Sequence, residues 1–212
     1  MSVQIYLIIF AVSVICAVVA SAVITPSVLR EEYARQIKLD VSLKQMKNTE
    51  GKIKKFYAER GLPTNASIDE VAKVLNIVEG GIDVKLTERA RLCEPDETGK
   101  MKVLFKKGLT REERKFDFAH ECAHRINGDP IPNTRLGGHD KPKVEQIADY
   151  TAAALLMPLD DVYDFLVKND YATSSNSKRY SLLCELCKLY GVSEVIALRR
   201  IKEVAVLKNI QM

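Results

Sequence analysis

The sequence predicts an α+β fold, and three observations carry that expectation. Apolar and polar residues alternate in Ile82-Asp83-Val84-Lys85-Leu86 and again in Met101-Lys102-Val103-Leu104-Phe105, the period of half-buried strands. Beyond these segments the chain turns to long helical stretches with caps at both ends. The two patterns follow one another along the chain, whereas a doubly wound sheet interleaves them. A length of 212 residues leaves room for one modest core and excludes two large domains.

The first element is apolar. Residues 5–25 carry no charged side chain and are long enough for a helix that crosses a bilayer. Ala20-Ser21-Ala22 resembles a signal-peptidase site, but residues 1–4 lack the basic start of a signal peptide, so a membrane anchor is preferred. Arg30, Arg35, Lys38 and Lys44 follow it, so the expected localisation is a single-pass membrane protein with a cytoplasmic body. Residues 27–62 are rich in charge and read as a helical stalk. Gly61-Leu62-Pro63 interrupts it, and Ser67-Ile68-Asp69-Glu70 opens a short amphipathic helix through Val71, Val74 and Leu75. The expected division is an anchor over 1–26, a stalk over 27–62, a main domain over 63–172 and a helical segment over 173–212.

Composition bounds the function. A formal net charge of +4, spread along the chain, does not call for a nucleic-acid partner. Five cysteines without regular spacing exclude a disulfide framework, and Cys184-x-x-Cys187 lacks the second pair that a thiolate metal site needs. No internal repeat or low-complexity segment appears.

The chemistry is concentrated in Phe116-Asp117-Phe118-Ala119-His120-Glu121-Cys122-Ala123-His124, a helical stretch between Thr110, an N-cap residue, and Gly128, a stop. Spacing of four stacks the imidazoles of His120 and His124 on one helix face, where both can reach one ion. Glu121 is offset enough to act on water there as the catalytic base, while Phe116, Ala119, Cys122, Ala123 and Ile126 form a face that can be buried. A second helical segment, Lys143-Val144-Glu145-Gln146-Ile147-Ala148-Asp149-Tyr150, supplies Glu145 as third ligand. Asp149, one turn on, is placed to hold a ligand imidazole by its other nitrogen. The plain alternative for Glu145 and Asp149 is a solvated face paired with Lys143. His139 competes as third ligand, although its distance from His124 does not fit the other large zinc class. Zinc, one ion per chain, is the expected cofactor, though imidazole and carboxylate donors also accept other divalent ions. His139, Tyr150, Arg135 and Tyr163 are candidate transition-state donors by residue type.

These motifs resemble the ImmA/IrrE-type metallo-endopeptidases of bacteria, phages and mobile elements. The first signature of that family matches residues 116–124. The second, an acidic residue leading to a small-residue run and Leu-Leu-Met-Pro, matches Glu145 through Ala152-Ala153-Ala154-Leu155-Leu156-Met157-Pro158. The chain departs from the family at Thr151, where an aromatic is usual, and at Asp149, where Asn is frequent. The resemblance covers residues 68–204. It implies a zincin-like peptidase domain that cleaves a protein substrate, a transcriptional repressor or another regulator. The alternative from a different class is a tethered module that binds DNA or protein and keeps a metal without proteolysis.

The last segment reads as helix, Gly191-Val192-Ser193 turn, and helix, a helix-turn-helix-like arrangement. Arg199, Arg200 and Lys202 are of the type that touches phosphates, but Glu194 and Val195 at the start of the second helix are poor base readers. A structural or substrate-docking role is therefore preferred over DNA binding.

Overall fold

A computed structural model describes residues 39–129 and 143–211. The described residues form an α+β domain with a three-stranded sheet and seven α-helices. In chain order these are α1 (Leu43–Arg60), α2 (Ile68–Leu75), β1 (Ile77–Asp83), β2 (Ala90–Leu92), β3 (Met101–Lys106), α3 (Arg111–Asn127), α4 (Lys143–Leu156), α5 (Leu159–Lys168), α6 (Asn176–Tyr190) and α7 (Glu194–Lys208). A single 3-10 turn, Tyr171–Thr173, joins α5 to α6.

The helix starts are written locally. Ser42, Ser67 and Thr110 each accept from the backbone N–H three residues on, and the residue there, Gln45, Glu70 or Glu113, reaches back to the cap. Each reciprocal pair satisfies two of the N–H groups that a helix start leaves open. Gly61 and Gly128 end α1 and α3 at φ 64° and 82°, in the left-handed region that favours glycine.

The sheet runs in the order β1-β3-β2, with β1 parallel and β2 antiparallel to the central β3. β3 alternates as its sequence predicts: Met101, Val103 and Phe105 are buried and Lys102 and Lys106 exposed. The Phe105 ring lies 6.4 Å from that of Phe118 on α3, which seats the helix on the sheet. The Arg89 guanidinium, 3.0 Å from Asp117, ties the start of the β2 strand to the same helix. β1 differs from expectation. It begins at Ile77 and ends at Asp83, with a register shift between Glu79 and Gly81, and Ile82 and Val84 are exposed at 52% and 75%. Alternation over residues 82–86 suggested a half-buried strand. Pairing with β3 instead draws on residues 77–83, and β2 is too short to announce itself by periodicity.

Two expectations about the N-terminal part change. Among the described residues, no helix is long and apolar enough to cross a membrane, and residues 5–25 lie outside the described residues, so the single-pass membrane localisation expected from the sequence does not stand. The residues read as a stalk contain α1, whose Met46, Thr49, Ile53 and Tyr57 are buried in the common core. α1 packs on α4 and α7. Its charges dominate its composition, yet one apolar stripe at helical spacing is enough to dock it.

Replacing Phe105 by Ala removes a fully buried ring at the junction of sheet and α3, and should cost about 3–5 kcal/mol in urea unfolding. Val84→Ser, on the exposed turn after β1, should change stability by less than about 0.5 kcal/mol.

Candidate metal centre

Two helices build the centre. α3 carries His120, Glu121 and His124, and α4 carries Glu145 and Asp149, all buried. Ala119, Cys122 and Ala123 on α3 and Ala148 and Ala152 on α4 are fully buried. Small side chains let two helix backbones approach, and α3 and α4 are the most closely packed helix pair. Thr151 adds to this: its hydroxyl donates 2.7 Å to the Ile147 carbonyl and lies 3.4 Å from the Asn127 amide at the end of α3. The Thr151 hydroxyl thus links the two helices.

The imidazoles stand nearly at right angles, with ring centroids 4.6 Å apart. His120 donates from Nδ1 to Asp149 Oδ1 over 2.8 Å, and His124 donates from Nδ1 to Asp129 Oδ2 over 2.8 Å. A carboxylate partner assigns the proton to Nδ1 in both rings. Nε2 is then the atom of each ring left to bind an ion, and the two Nε2 atoms lie 2.9 Å apart. The Glu145 carboxylate spans them, Oε2 3.1 Å from His120 Nε2 and Oε1 3.7 Å from His124 Nε2. Burial holds the His124 imidazole below its ordinary pKa, and His120 adds to the effect, so His124 is neutral at neutral pH.

Ring nitrogens and a carboxylate that converge in this way can share one cation. Among the described residues, His120, His124 and Glu145 form the one group of three or more His, Cys, Asp or Glu side chains whose donor atoms all lie close enough for one ion, within 4.8 Å of one another. Donor chemistry and outer carboxylates are those of a zinc site, where nitrogen and carboxylate oxygen bind at about 2.0–2.2 Å. Glu121 is buried next to this group. Burial raises the Cys93 thiol, just past β2, and the charge of Glu121 adds to the effect.

The remaining sequence candidates fall elsewhere. Arg135 and His139 lie outside the described residues. Tyr150 is not a transition-state donor: it is fully buried, its hydroxyl donates 2.7 Å to Glu50 on α1, and the Arg200 guanidinium lies 5.5 Å from its ring. Asp149 and Tyr150 are consecutive on α4, and adjacent helical residues point about 100° apart. Tyr163 packs under the Lys208 ammonium at 4.7 Å. Asp129 escapes a sequence reading because it lies past the Gly128 cap. Its signal was its place just beyond the left-handed glycine, where the chain folds back on the last helical turn and the Asp129 N–H donates to the His124 carbonyl.

No curated protein matches the chain. The model of the IrrE N-terminal-like domain matches residues 81–202, from the end of β1 into α7, and so contains both histidine ligand candidates, Glu145 and the Leu-Leu-Met-Pro end of α4. More than half of the 212 residues lie in that match, and the chain belongs to this family, the M78 zinc peptidases.

Proposed function

We propose that this chain is a zinc-dependent endopeptidase that cleaves a peptide bond in a regulatory protein, such as a transcriptional repressor. The observation that carries the reading is the pair of Nε2 atoms spanned by Glu145, with a second buried carboxylate, Glu121, on the same helix as the two histidines. A site that only stabilises a fold has no use for Glu121, because structural zinc is usually closed by four protein ligands. The regulator as substrate rests on the resemblance of the two signatures.

His120, His124 and Glu145 would hold the ion. Asp149 and Asp129 fix the tautomer and direction of the two rings, keeping both Nε2 atoms aimed at one point. Bound zinc supplies Lewis acidity, which acidifies water and polarises a carbonyl. Glu121 accepts the proton from water as its oxygen bonds to the scissile carbonyl carbon, then passes that proton to the departing amine as the C–N bond breaks. β2 is one of the two edge strands of the sheet and packs on α3, the helix that carries Glu121. An extended peptide added to this edge would pass its backbone along that helix.

DNA binding draws less support. Its best phosphate-contact candidates on α7 are turned inward: Arg200 is fully buried, and Arg199 lies beside Asp149 and Glu203.

The full chain should bind about one zinc, and Glu145→Ala should lose it, as measured by metal analysis after dialysis. Glu121→Gln should retain the metal yet cut co-expressed regulators about 10²–10⁴-fold more slowly. A chain without bound metal, or a Glu121→Gln variant with unchanged cleavage, would sink the peptidase reading. Asp129→Ala should weaken zinc about 10–100-fold in chelator competition while leaving the donor set intact.

A further inference from the structure

Behind the metal centre a line of charged groups runs into the C-terminal helix. Asp149 uses one oxygen, Oδ1, for His120 Nδ1. Its other oxygen, Oδ2, lies 3.9 Å from Arg199 Nη1 on α7. The Arg199 Nε donates 3.2 Å to Glu203 Oε1, and Arg199 Nη2 lies 3.5 Å from Asp40. Glu203 turns its second oxygen to Arg200 Nη1 at 3.4 Å. Arg200 in turn donates 2.9 Å to Glu50 on α1 and 2.8 Å to the Met157 carbonyl at the end of α4. Arg200 and Glu203 are 0% and 1% exposed, so the line is anchored in the interior.

The electrostatics give this line a purpose. Glu121, Glu145 and Asp149 bring carboxylates together in a buried space, and ionised carboxylates in a poorly solvated site are costly without positive charge nearby. A metal ion answers for the donors it touches. Asp149 lies one imidazole further out, and among the described residues Arg199 is a cation that faces its outer oxygen. The guanidinium is a rigid fork: it donates to Glu203 on α7 and Asp40 ahead of α1, and those bonds hold it in ion-pair range of Asp149 on α4.

We propose that Arg199 is a positioning residue of the metal centre, holding Asp149 oriented so that His120 keeps Nε2 aimed at the ion. α7 is thereby part of the metal site, in place of the phosphate-contacting role its arginines suggest in sequence. The inference rests on the zinc reading above.

The test is zinc affinity of the full chain, measured by chelator competition for Arg199→Gln and Arg199→Lys, each alone and in an Asp149→Asn background. Arg199→Gln should weaken zinc about fivefold to tenfold, somewhat less than removal of a carboxylate that touches a ligand. Arg199→Lys, which keeps the charge and loses the fork, should fall between it and the parent. In the Asp149→Asn background either substitution should change affinity by less than about twofold, because the route from α7 to His120 is already cut. A merely structural arginine would lower the thermal midpoint of the metal-free chain and leave no coupling with Asp149. Unchanged affinity in both single variants, or equal losses in both backgrounds, overturns the proposal while the zinc site stands. Should the glutamine variant not fold, Arg199→Lys carries the same comparison. A parent chain that binds no zinc overturns this proposal and the peptidase reading together.

Discussion

Two imidazole nitrogens held 2.9 Å apart, with a carboxylate spanning them, bring three buried polar groups together, and burying polar groups costs free energy. Helix packing must therefore supply the energy that holds them there. α3 and α4 do so with buried alanines along their contact, the Thr151 link to Asn127, and a seat on the sheet through Phe118 and Phe105. The rest of the structure serves this apposition. α1 and α7 cover α4 from outside, and Arg200 donates to the Met157 carbonyl at its end, where a helix leaves its last carbonyls without internal partners.

The polar interior has two parts with different costs. At the centre, each histidine spends its Nδ1 proton on a carboxylate, so the geometry of the rings is set before any ion arrives. Behind it, Arg200, Glu203, Glu50 and Arg199 form a buried ionic cluster. Burial pushes the Glu203 carboxyl above its usual range while Arg200 and Arg199 pull it back. Such clusters seldom add net stability, since desolvation offsets attraction. A cluster that also lies against Asp149 has a reason to persist that stability alone does not provide.

Fold class, the capping boxes at Ser67 and Thr110, the Gly128 stop and the strand at residues 101–106 were all legible in sequence, because each depends on neighbours within a few residues. The pairing of His120 with His124, and of Glu145 with Asp149, was legible for the same reason: helical spacing alone places each pair on one face. The role of α1 was not. Its polar majority hid the stripe of Met46, Ile53 and Tyr57, and whether such a stripe is buried depends on what lies opposite. Tyr150 was misassigned because residue type says nothing about which way a neighbour on the same helix points.

By itself, then, the sequence determined the donor types, their spacing along two helices and the local starts and stops of those helices, all short-range properties of the backbone. Tertiary structure alone decided which face met which. It brought Asp129 to His124 around a glycine, turned Arg199 and Arg200 from phosphate-contact candidates into interior cations, and put the Tyr150 hydroxyl on Glu50, 100 residues away in sequence. Contacts between distant segments follow from how apolar faces pack against each other, and no local pattern records which partner a charged group will find when that packing closes.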